Sequence, residues 1–129
     1  MKVGGGMNER QRESTGFLLK QRAFLKVFLI TEIEQGRSYG LQLRDILLSH
    51  FQAYGFKPHH SEIYHSLHEL TEAGILRKRE ELEEGAKYKK LSIYTIEDKE
   101  KAEAYKKLVK ADLDRCQGLI NKALSHNYA

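Results

Sequence analysis

The stretch Gly55 to Leu76, GFKPHHSEIYHSLHELTEAGIL, limits the possible folds of this chain more than any other: it holds the only proline and closes on Gly74. Proline has no N–H to donate and is tolerated in a first helical turn, where that group has no partner anyway. The spacing therefore predicts a helix from near Pro58 to about Ala73. Ile63, Leu67 and Leu70 step by four and three, which lays them along one side with Tyr64 beside them. The opposite side carries His60, Ser61, His65, His68 and Thr71, with no strong negative charge before Glu69 and Glu72. A face of hydrogen-bonding groups suits contact with the edges of DNA bases.

Such a helix needs a core to dock on, and 129 residues supply enough for one domain but hardly two. With 40% apolar and 31% charged residues, the composition is neither that of a disordered chain nor that of a membrane-embedded one. No apolar run approaches the roughly 18 to 20 residues of a membrane span. The start, MKVGGGMNER, lacks the apolar core of a signal peptide, so the expected location is cytoplasmic. The lone Cys116 cannot form a disulfide within the chain and fits a reducing compartment; it reads as a small core or interface residue. A net charge of +4 is compatible with an anionic partner but decides little. Distribution says more. Arg10, Arg12, Lys20, Arg22 and Lys26 precede the core, and Arg77, Lys78, Arg79, Lys87, Lys89 and Lys90 follow the central helix.

Residues 1–14 are polar and glycine-rich without a period, which predicts a mobile arm, and Met7 is a second candidate start. From Phe17, the positions Phe17, Leu18, Ala23, Phe24, Val27, Phe28, Ile30 and Ile33 fill a helical stripe, with Ser14 or Thr15 to cap it. That helix stops at Gly36. Arg37 to Tyr39 leave room for no more than a short strand, and Gly40 opens a second helix to about Ala53 on Leu41, Leu43, Ile46, Leu47, Leu48 and Phe51. Beyond Gly74 the period alternates. Ile75, Leu76 and Leu82 fit one strand and Leu91, Ile93, Tyr94 and Ile96 another, with EEGAK as the hairpin tip. From Asp98 to about Ser125 the pattern is helical, with Ala102, Tyr105, Val109, Leu113, Cys116, Ile120 and Ala123 recurring at steps of three or four. That is coiled-coil spacing. An apolar seam on a helix this long predicts a homodimer, although a seam folding back on the first helix has the same pattern.

The order helix, short strand, helix, helix, strand, hairpin, strand defines the expected class: α+β, mainly α, a winged helix with a β-hairpin wing plus a long C-terminal dimerisation helix. The expected divisions are an arm at 1–14, a winged-helix domain at 15–97, the dimerisation helix at 98–125 and a tail at 126–129. Two-fold symmetry would present two central helices to major-groove segments about 34 Å apart.

The histidines raise the question of a metal site. His65 and His68 are three apart and His59 and His60 lie one to two turns earlier, yet no cysteine or carboxylate completes a familiar zinc spacing, so no metal is expected. His50 and His126 read as surface residues near helix ends. In the wing, Arg77, Lys87, Lys89 and Lys90 suit phosphate, whereas Glu80, Glu81, Glu83 and Glu84 oppose it or pair with the bases across the strands. Phosphate contact by the lysines after Gly85 is the favoured expectation. No nucleophile, acid–base pair or cofactor loop is assembled, and Gly4 to Gly6 follow no strand, so neither catalysis nor a cofactor is expected.

The blocks STGFLLKQRAFLK (Ser14 to Lys26), YGLQL (Tyr39 to Leu43), GFKPHHSEIYHSLHEL (Gly55 to Leu70), EGAK (Glu84 to Lys87) and LDRC (Leu113 to Cys116) resemble, in order, the replication terminator family of Bacillus. IYHSLHEL with AGIL alone also looks like PadR-type repressors. The resemblance implies a winged-helix homodimer joined by C-terminal helices, acting on double-stranded DNA at the bacterial nucleoid. Two dimers would occupy adjacent half-sites of a terminator and stop the replicative helicase from one direction. On this resemblance Lys20 and Arg22 match the phosphate-contacting arm and first helix, and His60, Ser61 and Tyr64 match the recognition helix; His59 and His65 are further DNA-binding candidates beside them. Tyr105, Val109, Leu113, Cys116, Ile120 and Ala123 fall on the dimerisation seam, and Tyr94 on the strand of dimer-to-dimer contact. Departures from the family pattern are His65 in place of an arginine, Glu80, Leu82 and Glu83 in place of basic wing residues, and Gly36 in place of an acidic residue. A repressor on the same scaffold, or an interaction module without DNA, are the other classes this pattern fits.

Overall fold

The computed structural model describes residues 16–82 and 89–128. Helices α1 (Gln21–Glu34), α2 (Gly40–Phe51) and α3 (His60–Glu72) are followed by strands β1 (Leu76–Leu82) and β2 (Lys90–Ile96) and by helix α4 (Lys99–Asn127). A single 3₁₀ turn, Gln52–Tyr54, joins α2 to α3. The strands pair antiparallel from Leu76 opposite Ile96 to Leu82 opposite Lys90. The short strand expected before α2 is one bridge long: Tyr39 pairs with Ile93, and the Tyr94 N–H donates to the Ser38 carbonyl at 2.8 Å. This is the winged-helix arrangement. The expected hairpin tip, with Glu83, Glu84, Gly85 and Lys87, and the arm at 1–14 both lie outside the described residues.

The core is built where the apolar stripes converge. Leu25, Leu29, Ile30 and Ile33 of α1 meet Leu43, Leu47 and Phe51 of α2 and Ile63, Leu67 and Leu70 of α3, closed by Ile75, Leu76, Tyr94 and Ala102. Phe28 and Phe51 stand edge to face, ring centres 4.8 Å apart, a geometry that matches the positive ring edge to the negative face. Two glycines set the chain reversals. Gly36 and Gly74 have φ of 102° and 80°, in the left-handed region that a Cβ disfavours. At Gly74 the N–H donates to the Thr71 carbonyl, and the next N–H, of Ile75, donates to Leu70. That pair of bonds satisfies carbonyls a helix end leaves open and turns the chain directly into β1.

Two helix starts differ from expectation. Helix α1 begins at Gln21 rather than Phe17: Lys20 is extended and provides no side-chain cap, while Phe17 and Leu18 are exposed. The carbonyl of Phe17 instead accepts from Arg115 Nη1 of α4 at 3.1 Å, a tie across the fold that no local pattern carries. Helix α3 begins at His60, two residues after Pro58, because the His59 ring serves as its cap; Pro58 is buried ahead of the first turn.

Helix α4 is a single 29-residue rod, capped where Asp98 accepts from the Lys101 N–H at 3.0 Å, and it continues to Asn127, past the expected end at Ser125. Its first half is part of the winged-helix core. Ala102, Val109 and Cys116, one heptad apart, are buried within the single chain, and Tyr105 packs beneath Lys26 of α1 with its phenol pKa pushed up to about 12 by burial. Beyond Cys116 the helix is exposed throughout its described length, with Leu119, Ile120 and Leu124 each 42% to 55% accessible. Between α1, the end of α2 and α4 runs a groove of about 600 Å³ floored by Val27, Phe28 and Leu113 and edged by Lys106, Lys107 and Lys110.

Candidate nucleic-acid interface

Helix α3 is anchored by its apolar side and presents the other. At its start the Ser61 N–H donates to His59 Nδ1 at 3.1 Å, and Ser61 Oγ lies 2.7 Å from the same nitrogen. One imidazole thus holds the first turn and orients the serine. His60, Ser61, His65 and His68 are exposed, as the helical spacing requires. Thr71 is not an available donor: it is half-buried, and its hydroxyl donates to the Leu67 carbonyl at 2.8 Å. Tyr64 is half-buried against the core, so it offers an edge rather than a whole ring to a partner.

The first helix does something the spacing did not reveal. Arg22 Nε and Nη2 donate to the two oxygens of Glu62 at 2.8 and 3.2 Å, and Nη1 donates to Glu69 at 2.5 Å. Lys26 reaches the other Glu69 oxygen at 2.6 Å. Arg22, expected to grip phosphate, is instead committed to α3. The hydrogen bond from Arg22 holds the Glu62 carboxyl below its ordinary range, and bonds from Lys26 and then Arg22 do the same for Glu69. The guanidinium is correspondingly held in its charged form, by its bonds to Glu62 and then Glu69. Without these partners the polar face of α3 would carry two bare carboxylates toward any polyanion. The pairing is nonlocal: Arg22 lies 40 and 47 residues from its two glutamates. The i, i+7 spacing of Glu62 and Glu69, which puts both on one face, was the only signal available.

The wing carries the opposite charges side by side. Arg77 donates to Glu97 through Nε at 2.8 Å and Nη2 at 3.4 Å, Arg79 pairs with Glu81, and Lys78 and Lys90 both stand 3.9 Å from Glu80. Cross-strand pairing is therefore present, and Arg77 and Lys90 have neighbours that compete with phosphate. Lys20 and Lys89 are exposed, and Lys87 is outside the described residues. Tyr94, expected at a contact between dimers, is 4% exposed and packs in the core, and its N–H donates to the Ser38 carbonyl. Burial, then the neighbouring Tyr64, raise its phenol pKa. Tyr54 is 86% exposed at the turn into α3. On the dimerisation seam, Val109 and Cys116 are buried by their own chain and Tyr105 and Leu113 are half-buried, which leaves Ile120 and Ala123 on the open half. Among the described residues no cluster of histidine, cysteine or carboxylate side chains is arranged to hold a metal ion, and no helix is long and apolar enough to cross a membrane.

A search of solved structures aligns the chain with a putative transcriptional regulator from Thermoplasma acidophilum at a TM-score of 0.62, covering 81% of this chain and 93% of that one at 20% identity. At that identity the likeness is one of fold, and it agrees with the winged helix described above. Curated proteins named replication termination protein, from Bacillus subtilis strain 168 and from Bacillus spizizenii, are 53% identical over 122 residues, 95% of this chain and all of theirs. The family model described as replication terminator protein matches residues 16–128, the span that holds α1 through α4. A full-length match at that identity, on a winged helix with its polar α3 exposed, makes this chain a member of the replication terminator protein family.

Proposed function

We propose that this protein binds replication terminator DNA as a homodimer, with α3 in the major groove, and acts as a polar roadblock to the replicative helicase. The observation that carries the reading is the end-to-end match to replication termination proteins, since a scaffold alone does not specify a role. The geometry supports it. The exposed face of α3 offers His60, Ser61 and His65, and the acidic residues on its flank are neutralised from α1. Lys20, Lys89 and Lys90 are exposed, which is compatible with phosphate contact, although Lys90 stands 3.9 Å from Glu80. The second copy docks through the exposed half of α4, where Leu119, Ile120 and Leu124 are each 42% to 55% exposed in a single chain. Two dimers fill a complete site through the strand region around β2, by residues other than Tyr94.

Binding to a terminator duplex, titrated with salt, tests the first step: affinity falls steeply as salt rises, because each phosphate contact releases counterions. Absent or salt-independent binding to any duplex would sink the proposal. Helicase progress on the same duplex in both orientations tests the second, with arrest from one side only; equal passage from both sides leaves an operator-binding regulator instead.

A further inference from the structure

Arg22 Nη2 lies 3.2 Å from His65 Nδ1. A guanidinium has five N–H donors and no lone pair with which to accept, so Nδ1 must be the acceptor and can hold no proton. A neutral imidazole carries one proton, which is then on Nε2. The bond count closes: Nη2 has two hydrogens, one for Glu62 at 3.2 Å and one for His65, while Nε and Nη1 serve Glu62 and Glu69. Glu62 and Glu69 hold the guanidinium in place, and the guanidinium in turn fixes which edge of the His65 ring faces outward. His65 is exposed in the middle of the polar face of α3, four residues on from Ser61.

Building on the DNA-binding reading above, we infer that Arg22 is a positioning residue that makes His65 a single outward Nε2–H donor, and that this donor reads the N7 acceptor of one purine in each half-site. In the major groove purines present N7 as an acceptor and thymine presents O4 beside its methyl group, whereas cytosine presents only a donor. One donor rejects cytosine without separating guanine from adenine, and sensitivity to loss of N7 is what tells a purine partner from thymine O4.

The first test needs no variant. Long-range proton–nitrogen NMR of the free protein, above the pH at which histidine is protonated, assigns the His65 tautomer; a proton on Nδ1 overturns the inference. The second uses a duplex selected from random sequence by the wild-type protein, with each purine replaced in turn by its 7-deaza analogue, which has C–H in place of N7. One position per half-site loses about three- to tenfold in affinity, the scale of one neutral hydrogen bond. His65→Ala binds the parent duplex more weakly and is indifferent to the analogue at that position. Arg22→Ala, shown folded by circular dichroism, keeps His65 but shows exchanging tautomers and loses most of the analogue's effect. Wild-type binding without a sensitive purine overturns the inference alone, as does equal sensitivity in His65→Ala or undiminished sensitivity in Arg22→Ala. Failure of the wild type to bind any selected duplex overturns the DNA reading and this inference together.

Discussion

The two halves of α4 share one spacing and meet different surroundings. Ala102, Val109 and Cys116 are covered by the rest of the chain, whereas Leu119, Ile120 and Leu124, a turn or two further on, stand in solvent. A heptad seam states that something apolar must cover it; it does not say whether the cover is the same chain or another. Here the first half finds α1, and the second extends past the body that would cover it. The long helix is part of the domain at its start and a protruding element at its end.

Substitutions on the two sides of Cys116 break that contrast or sharpen it. Val109→Asp places a charge in a site only 3% exposed and is expected to lower stability by about 3 kcal/mol or more, read by urea unfolding. A variant that stays as stable as the parent but sediments as a monomer would show that Val109 belongs to the second copy instead. Ile120→Asp with Leu124→Asp does the reverse: the unfolding midpoint of the monomer stays put, while dimer dissociation strengthens by about ten- to a hundredfold per substitution in sedimentation. Gly118 points away from the seam, and an added Cβ there would meet nothing within 4 Å. Gly118→Ala should therefore raise stability by about 0.5 to 1 kcal/mol and leave the dimer unchanged; a weakened dimer would place that face against the partner.

The smallest expected effect separates the polar and apolar contacts of α1. Glu62 and Glu69 have carboxyl groups held below the unfolded value of about 4.3. Their contribution is complete above that value and is lost as pH falls through the lowered folded values. Arg22 and its partners are solvent-accessible, so the effect is modest and shrinks with salt. Amide exchange followed from pH 5 to pH 3 should show α3 loosening from α1 while α4 around the buried Val109 stays protected. Simultaneous loosening of both would mean that the ion pairs carry α4 as well.

What was legible in the sequence was local. Gly36 and Gly74 end their helices where expected because a left-handed residue leaves a mark in composition, and the change from helical to alternating period after Gly74 marks β1. The face of α3 was legible too, since Ile63, Leu67 and Leu70 fix which side is inward. The start of α1 was not, because Phe17 and Leu18 are apolar yet exposed, placed by a bond from Arg115 that lies 98 residues away. Separations of 40 and 47 residues likewise hid the pairing of Arg22 with Glu62 and Glu69: a basic residue ahead of a polar helix looks the same whether it faces phosphate or a carboxylate. In β2, Ile93 and Tyr94 are buried in succession because one strand face packs on the core while Tyr39 bridges the edge, and alternation alone assigns only one of them inward.

The unbroken length of α4 has a mechanical consequence. At 29 residues the rod is about 43 Å long, joined at one end to the body that carries α3. In the paired protein proposed above, two rods that cross near Ile120 leave an arm of about 32 Å back to Lys99, and a tilt of about 5° there displaces the body end of each by about 3 Å, close to the 3.4 Å step between base pairs. The stiffness of the lever, rather than the tightness of its grip, then sets which spacing of two DNA segments the pair can span, and a kink in α4 would retune that spacing without touching a single contact to a base.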